Sequence, residues 1–196
     1  MPGKGEWMEK SPGLIPPHGG YRKLRSFQCA QMAYDLTVVF CGRFIDRRSR
    51  THDQMVQAAR SGVQNIAEGS MASGTSKKTE LKLTGVARAS LEELLLDYED
   101  FLRQRGLKLW AKDSPEALET RKLLSDPSDR SDPSDKKKID LLIVEAEVAA
   151  NIMICLVNQA SYLLRGQLQF LERKFLEEGG FTERLYSQRQ SRRGKP

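Results

Sequence analysis

Aromatic residues make up only 7% of the 196 residues, and His18 and His52 are the only histidines. The three cysteines, Cys29, Cys41 and Cys155, stand far apart and form no Cys-x-x-Cys pair. Each shortage excludes something. Two isolated histidines assemble neither a Ser-His-Asp triad nor the inward-facing Glu-x-x-His pairs of a di-iron protein. An odd number of widely spaced thiols indicates no disulfide framework and no zinc site. Cys41 and Cys155 fall in apolar helical stripes, where a small buried thiol is expected. The few aromatics are not interleaved with basic residues, so no stacking platform for single strands is expected. No apolar run is long enough to span a membrane, because the most apolar stretch, 139–164, is broken by Asp140, Glu145, Glu147, Asn151, Asn158 and Gln159. The opening MPGKGEWMEKSPGLIPPHGG has no apolar signal-peptide core. The expected setting is the reducing cytoplasm, with no membrane contact, no catalytic residues, no metal and no cofactor.

What is abundant favours helix. Leu, Ala, Glu, Lys and Arg dominate the middle of the chain, with 39% hydrophobic and 30% charged residues. Residues 1–20, rich in Pro and Gly, read as a disordered leader. A first helix is expected from about Leu24 to Asp46, with Phe27, Ala30, Tyr34, Val38, Cys41 and Ile45 on its apolar face. Thr51-His52-Asp53-Gln54 fits a capping box, with Thr51 as N-cap of a second helix that ends near Glu68. That helix would bury Met55, Ala58 or Ala59, Gly62 and Ile66. Ser76 is the expected N-cap of a third helix, with Glu80 near its first turn and Gly106 as its stop. Leu81, Thr84 or Gly85, Arg88 or Leu91, Leu95, Tyr98 and Leu102 would form its core face.

Residues 107–135 contain Ser-Asp-Pro-Ser-Asp twice, at 125–129 and 131–135, and read as a disordered insert or a long crossover. A fourth helix is expected from about Lys136 to Glu178, stopped by Gly179-Gly180. Ile139, Leu142, Ala146, Ala149, Met153, Leu156, Ala160, Leu163 and Leu171 form its core stripe. Leu141, Val144, Val148, Ile152 and Tyr162 form a second stripe. One apolar face suffices for a helix in a small bundle, so the second implies another buried contact. That contact is most simply a neighbouring subunit, the alternative being a more deeply buried helix within a monomer. The fold class is therefore all-α: an antiparallel up-and-down four-helix bundle over 21–178, followed by a mobile basic tail over 179–196.

The stretch Asn65-Ile66-Ala67-Glu68-Gly69-Ser70-Met71-Ala72-Ser73-Gly74-Thr75-Ser76-Lys77-Lys78 bears most directly on function. Gly69 and Gly74 have the spacing of a phosphate-binding loop, but Thr75 stands where that loop needs its lysine, and no parallel-sheet pattern surrounds it. The stretch instead reads as a helix end, with Gly69 left-handed and Asn65 and Glu68 hydrogen-bonding the start of the third helix. The net charge of +6 and pI near 9.3 favour an anionic partner. Lys77, Lys78 and Lys82 would hold an anion at the start of the third helix. Arg43, Arg47, Arg48 and Arg50 make a second basic group, Arg60 adds to it, and the tail makes a third. Contacts of this kind recognise phosphate backbones without reading bases. Glu92, Glu93, Asp97, Glu99 and Asp100 read as a solvated acidic face, or one that meets basic residues of a neighbouring subunit.

The run Gln57-Ala58-Ala59-Arg60-Ser61-Gly62-Val63-Gln64-Asn65-Ile66-Ala67-Glu68-Gly69, followed by Ser76, Glu80, Leu83, Ala87, Ser90, Leu91, Glu93 and Leu94, resembles the bacterial four helix bundle protein family. Within it, the chain is similar to the longer suffix-domain branch. That family includes proteins encoded in intervening sequences of ribosomal RNA and accessory proteins of diversity-generating retroelements. The resemblance implies a ring-like homopentamer of antiparallel bundles, with nucleic acid and a reverse transcriptase as partners in the retroelement members. Asp46-Arg47-Arg48-Ser49-Arg50 departs from the family's usual Phe-Pro junction, and Gln64 stands where proline is frequent. The expected function is non-enzymatic binding of RNA or DNA by a homo-oligomer. The rival reading is a protein-interaction scaffold that does not touch nucleic acid.

Overall fold

A computed structural model describes residues 15–125 and 144–193. The described residues are helical with no strand. A short 3-10 turn, Tyr21–Lys23, precedes α1 (Arg25–Phe44), α2 (Arg50–Ala72), α3 (Lys77–Gln104), α4 (Pro115–Ser125), α5 (Ala146–Glu178) and α6 (Phe181–Arg193). The four long helices pack in cyclic order: α1 on α2, α2 on α3, α3 on α5, and α5 back on α1. Their shared interior holds the large, fully buried side chains Leu36, Phe40, Met55, Ile66, Leu91, Leu94, Tyr98, Leu102, Met153, Leu156 and Leu164.

The buried face of α1 is rotated from the one its periodicity suggests. Phe27, Ala30 and Cys41 are buried as expected, but Ala33, Leu36, Thr37 and Phe40 join them while Val38 is 46% exposed. The aromatic side chains decide the phase. Phe40 packs against Phe44, Tyr98 and Phe101 with ring centroids 4.9–5.0 Å apart, and such rings bury more area than a valine. Tyr98 Oη donates to Thr37 Oγ1 at 3.0 Å, and Thr37 Oγ1 donates to the Ala33 carbonyl, so no hydroxyl of this pair is left unsatisfied in the core. Cys41 is buried beside Met55, and desolvation followed by the charge of Asp97 pushes its thiol up to about 12.

The α2 boundaries correct two expectations. Its N-cap is Ser49, whose Oγ accepts from the Thr51 N–H at 3.2 Å, so Thr51 is already helical. The helix also continues past Glu68 to Ala72, which places Gly69 inside it. Among the described residues only Gly19, Gly106 and Gly179 have positive φ, so Gly69 is no left-handed cap. What fixes glycine there is α3. A Cβ on Gly69 would lie 3.3 Å from both the Glu80 carbonyl oxygen and Leu83 Cβ, and one on Gly62 would lie 2.8 Å from Leu91 Cδ2. These contacts also set the register, since Gly62 faces Ala87 and Leu91 while Gly69 faces Glu80 and Leu83, so α2 and α3 run in opposite directions.

The two accounts of Gly69 separate experimentally. In a helix, Gly69→Ala gains about 0.5–1 kcal/mol of propensity, which offsets a tight but tolerable methyl. Gly69→Leu should instead push against the α3 backbone and cost about 2–3 kcal/mol. Urea denaturation is expected to place Ala near wild type and Leu well below it. A left-handed cap would make Ala itself costly.

The ends of α3 are as the sequence suggests. Ser76 caps it, and Gly106 (φ 64°) ends it, with the Leu107 N–H reaching the Leu102 carbonyl at 3.0 Å and the Gly106 N–H reaching that of Arg103. The segment that follows is not wholly disordered. The Asn151 side-chain amide accepts from the Trp110 N–H at 2.8 Å and donates to the Lys108 carbonyl at 2.8 Å, while Glu147 Oε2 accepts from the Lys108 N–H. Ser114 Oγ then accepts from the Ala117 N–H, and α4 packs on α5 through buried Ala117. The rest of the expected insert, 126–135, lies outside the described residues, as do 136–143 with Ile139, Leu141 and Leu142.

Described α5 begins at Ala146, with Val144 and Glu145 non-helical before it, later than the sequence suggests. Ala149, Met153, Leu156, Ala160 and Leu171 are buried as expected; Ala146 and Leu163 are half-buried. In the second stripe Val144, Val148 and Ile152 are half-buried and Tyr162 is 72% exposed. By length and composition alone, 146–193 could cross a membrane, but 56% of its most apolar window is buried among the other helices, as in any core helix.

Gly179 (φ 68°) stops α5 as expected, but the tail after it is helical rather than irregular, forming α6. The leader also differs from expectation over 15–20. The Gly19 N–H donates to the Ser70 carbonyl at 3.1 Å, and Ile15 and His18 cover Gly74 closely enough that a Cβ there would sit 2.8 Å from His18 Nδ1. Residues 1–14 and 194–196 lie outside the described residues.

Candidate nucleic-acid interface

The start of α3 is the first place to look for an anion site, and it is already filled from within. Ser76 Oγ accepts from the Thr79 N–H at 3.2 Å, taking one of the free first-turn donors. Lys77 Nζ pairs with Glu80 Oε2 at 3.0 Å, with both side chains largely buried (15% and 10% exposed). Lys77 is therefore neutralised locally, and the leader covers the connector at Gly74. The glycine-bounded run is a helix end and a turn, not a phosphate loop. Lys78 and Lys82 remain exposed one turn apart on the outer face.

Arg43 is also committed, because its Nη1 donates to the Val144 carbonyl at 2.6 Å and its guanidinium lies 4.6 Å from the Phe44 ring centroid. It fastens α1 to the entry of α5. Arg47, Arg48, Arg50 and Arg60 are exposed. Together with Lys78 and Lys82 they form no ion pair with a described residue. Arg50 lines a shallow groove between α2 and α3 with Asp53, Gln57, Ser90 and Glu93, so its field there is partly offset by carboxylates.

The structure does not gather the expected residues at one point. Arg47, Arg48 and Arg50 lie at the start of α2 and Lys78 and Lys82 beside its far end, roughly 30 Å apart at 1.5 Å per residue. Other exposed cations reinforce both ends. The α2–α3 register sets the end of α3 level with Arg47–Arg50, which adds Arg105, stacked 3.9 Å from the Phe101 ring centroid. Lys108 and Lys112 are exposed on the segment that then runs along α5. Lys108 and Lys112 were hidden from sequence reasoning by assignment to an insert. Arg22, Lys23 and Arg25 enter beside the α2–α3 connector, and the run Tyr-Arg-Lys-Leu-Arg at 21–25 was the signal for them.

The Asn65 and Glu68 roles expected at the helix junction also change. Asn65 Nδ2 donates to the Ser61 carbonyl at 2.9 Å and to Ser61 Oγ at 3.1 Å, and Ser90 Oγ donates to Ser61 Oγ at 3.1 Å. This polar chain ties α2 to α3 along their length rather than at the turn, because α2 continues beyond Asn65. Glu68 points to solvent. On α3, Glu92, Glu93 and Asp100 are exposed, Asp97 and Glu99 are half-buried, and Asp100 binds Arg103 at 2.7 Å. Burial, then the charges of Glu93 and Asp100, raise the Asp97 carboxyl above its ordinary range. Among the described residues no group of three His, Cys, Asp or Glu is placed to hold a metal. The chain matches no protein-family model, no curated protein and no solved structure.

Proposed function

We propose that this chain is a non-enzymatic four-helix bundle protein that self-associates and binds RNA or DNA through its phosphate backbone. One observation carries the reading: six candidate cations, Arg47, Arg48, Arg50, Arg60, Lys78 and Lys82, stay exposed and spread along α2 and its two ends. A small anion would need them to converge. A polymer carrying about one charge per 1.7 Å of duplex axis needs only a spread of positive charge.

Self-association is supported by large apolar side chains on the outer faces of α3 and α5: Leu96 is 57% exposed, Tyr162 72% and Phe170 55%. The resemblance to the four helix bundle family supports a ring of five and a reverse transcriptase as a protein partner. The same exposed apolar residues would serve the rival scaffold reading, so the test must address the charges.

Reversing Arg47, Arg48, Arg60, Lys78 and Lys82 to Glu is expected to weaken nucleic-acid binding and to flatten its salt dependence. The log–log slope should shrink by about 0.9 for each phosphate that is no longer neutralised. Fluorescence anisotropy on labelled duplexes at several salt concentrations measures both. Unchanged affinity with an intact oligomer would favour the scaffold.

A further inference from the structure

We infer that α6 is the element that chooses among nucleic acids, and that its target is B-form duplex DNA entered through the major groove. This rests on the nucleic-acid reading above and sharpens it. Gly179, at φ 68°, breaks α5 and lets the chain leave in a new direction. The next helix has its own start: Glu183 Oε2 accepts from the Gly180 N–H at 2.9 Å, as a capping-box glutamate does. Arg192 and Arg193 lie in its last turn, where cations stabilise a helix dipole. No residue of α6 is buried, and every residue from Arg189 to Arg193 is exposed.

Composition and dimensions select the ligand. Within 181–193, four arginines stand against one glutamate, interspersed with Ser187, Gln188, Gln190 and Ser191. One face of the helix, Phe181, Arg184, Leu185 and Gln188, is half-buried; Arg189, Arg192 and Arg193 beyond it are exposed, and Tyr186 is its one large exposed apolar group. Arginine pairs with guanine edges and glutamine with adenine edges, and both also contact phosphates. A bare α-helix is about 10–12 Å across, and a B-form major groove about 12 Å wide admits it. The deep, narrow major groove of A-form RNA does not. A 13-residue helix with no fully buried residue is marginal in water, and docking in a groove would stabilise it.

The other basic groups cannot make this distinction. Arg47, Arg48, Arg60, Lys78 and Lys82 are exposed on the packed bundle and its connectors rather than on a projecting helix, a placement suited to phosphate contacts. They should serve DNA and RNA alike.

The test compares full-length chain binding to a DNA duplex and an RNA duplex of the same sequence by anisotropy at about 100 mM salt. The wild type is expected to prefer DNA by about tenfold or more, on the scale of one good base contact. R189A/R192A/R193A, which keeps helix-forming residues in the last turns, should abolish that preference while leaving thermal unfolding unchanged, because none of the three side chains is buried. The five-site surface variant should weaken both duplexes and preserve their ratio. Equal wild-type affinity for the two duplexes, or a preference untouched by the α6 variant, overturns the inference but leaves the nucleic-acid reading standing. No binding to either duplex at low salt overturns both.

Discussion

Phe40→Ala is expected to destabilise the protein by about 4 kcal/mol, the largest effect of any single core truncation considered for this fold. Phe40 is completely buried, and its ring meets Phe44 on its own helix and Tyr98 and Phe101 on α3. Truncation removes the apolar transfer energy and leaves a cavity that three stiff rings cannot easily fill. At about 2–4 °C per kcal/mol for a domain of this size, the melting temperature should fall by roughly 10 °C. Val38→Ala on the same helix is the control, because its side chain is 46% exposed and the cost should stay near 0.5 kcal/mol. Thermal and urea unfolding of the pair measure the contrast directly. Equal costs would restore the α1 face that its periodicity suggests.

Asn151→Leu should cost about 3 kcal/mol for a different reason. Asn151 is 1% exposed, and its amide serves the Trp110 N–H, the Lys108 carbonyl and the Glu147 carbonyl, each at 2.8 Å. Leucine keeps the branched outline, with somewhat more bulk, but pairs with nothing, leaving part-buried backbone groups of the α3–α4 crossover without partners. The loss should be local as well as global. With Trp7 changed to Phe, emission from Trp110 should shift to the red at denaturant concentrations well below the main transition. A stability change under about 1 kcal/mol with an unshifted spectrum would show that the crossover is held by something else.

These two sites mark where the sequence was legible and where it was not. Ser76, Gly106 and Gly179 were readable because a cap or a left-handed stop is set by neighbours within a few residues. Leu95, Tyr98 and Leu102 were readable from the helical period of α3. The choice of Leu91 over Arg88 and of Thr84 over Gly85, the burial of Ala87, Leu94 and Phe101, and the half-burial of Leu81 came only with the packing. Gly69 was misread because a glycine after Asn-Ile-Ala-Glu looks like a stop, and only the approach of Glu80 and Leu83 shows that it is a contact point. The phase of α1 was misread because Tyr34 and Val38 fit the period as well as Phe40 does, and the rings on α3 decide between them. The path of 107–125 depends on Asn151 and Glu147, which lie about forty positions further on. The Ser-Asp-Pro repeats that follow it at 125–135 suggest no order, and they colour the reading of the whole segment.

The candidate site shows the same division. Charge was legible residue by residue, but pairing was not. Nothing in Lys77 distinguishes it from Lys78 until Glu80 is found buried beside it. Arg43 became a structural residue only once the start of α5 was placed against α1. What survives is a set of exposed cations with no point of convergence, a pattern suited to a polymer of phosphates.

Titrating the intact chain against a labelled duplex at about 50, 100 and 200 mM salt tests that claim most directly. The expected result is tight binding at the lowest salt, with log affinity falling linearly against log salt at a slope of about −4 to −6, as about five or six phosphate contacts would give. Failure to bind at about 50 mM salt, or an affinity indifferent to salt, would contradict it.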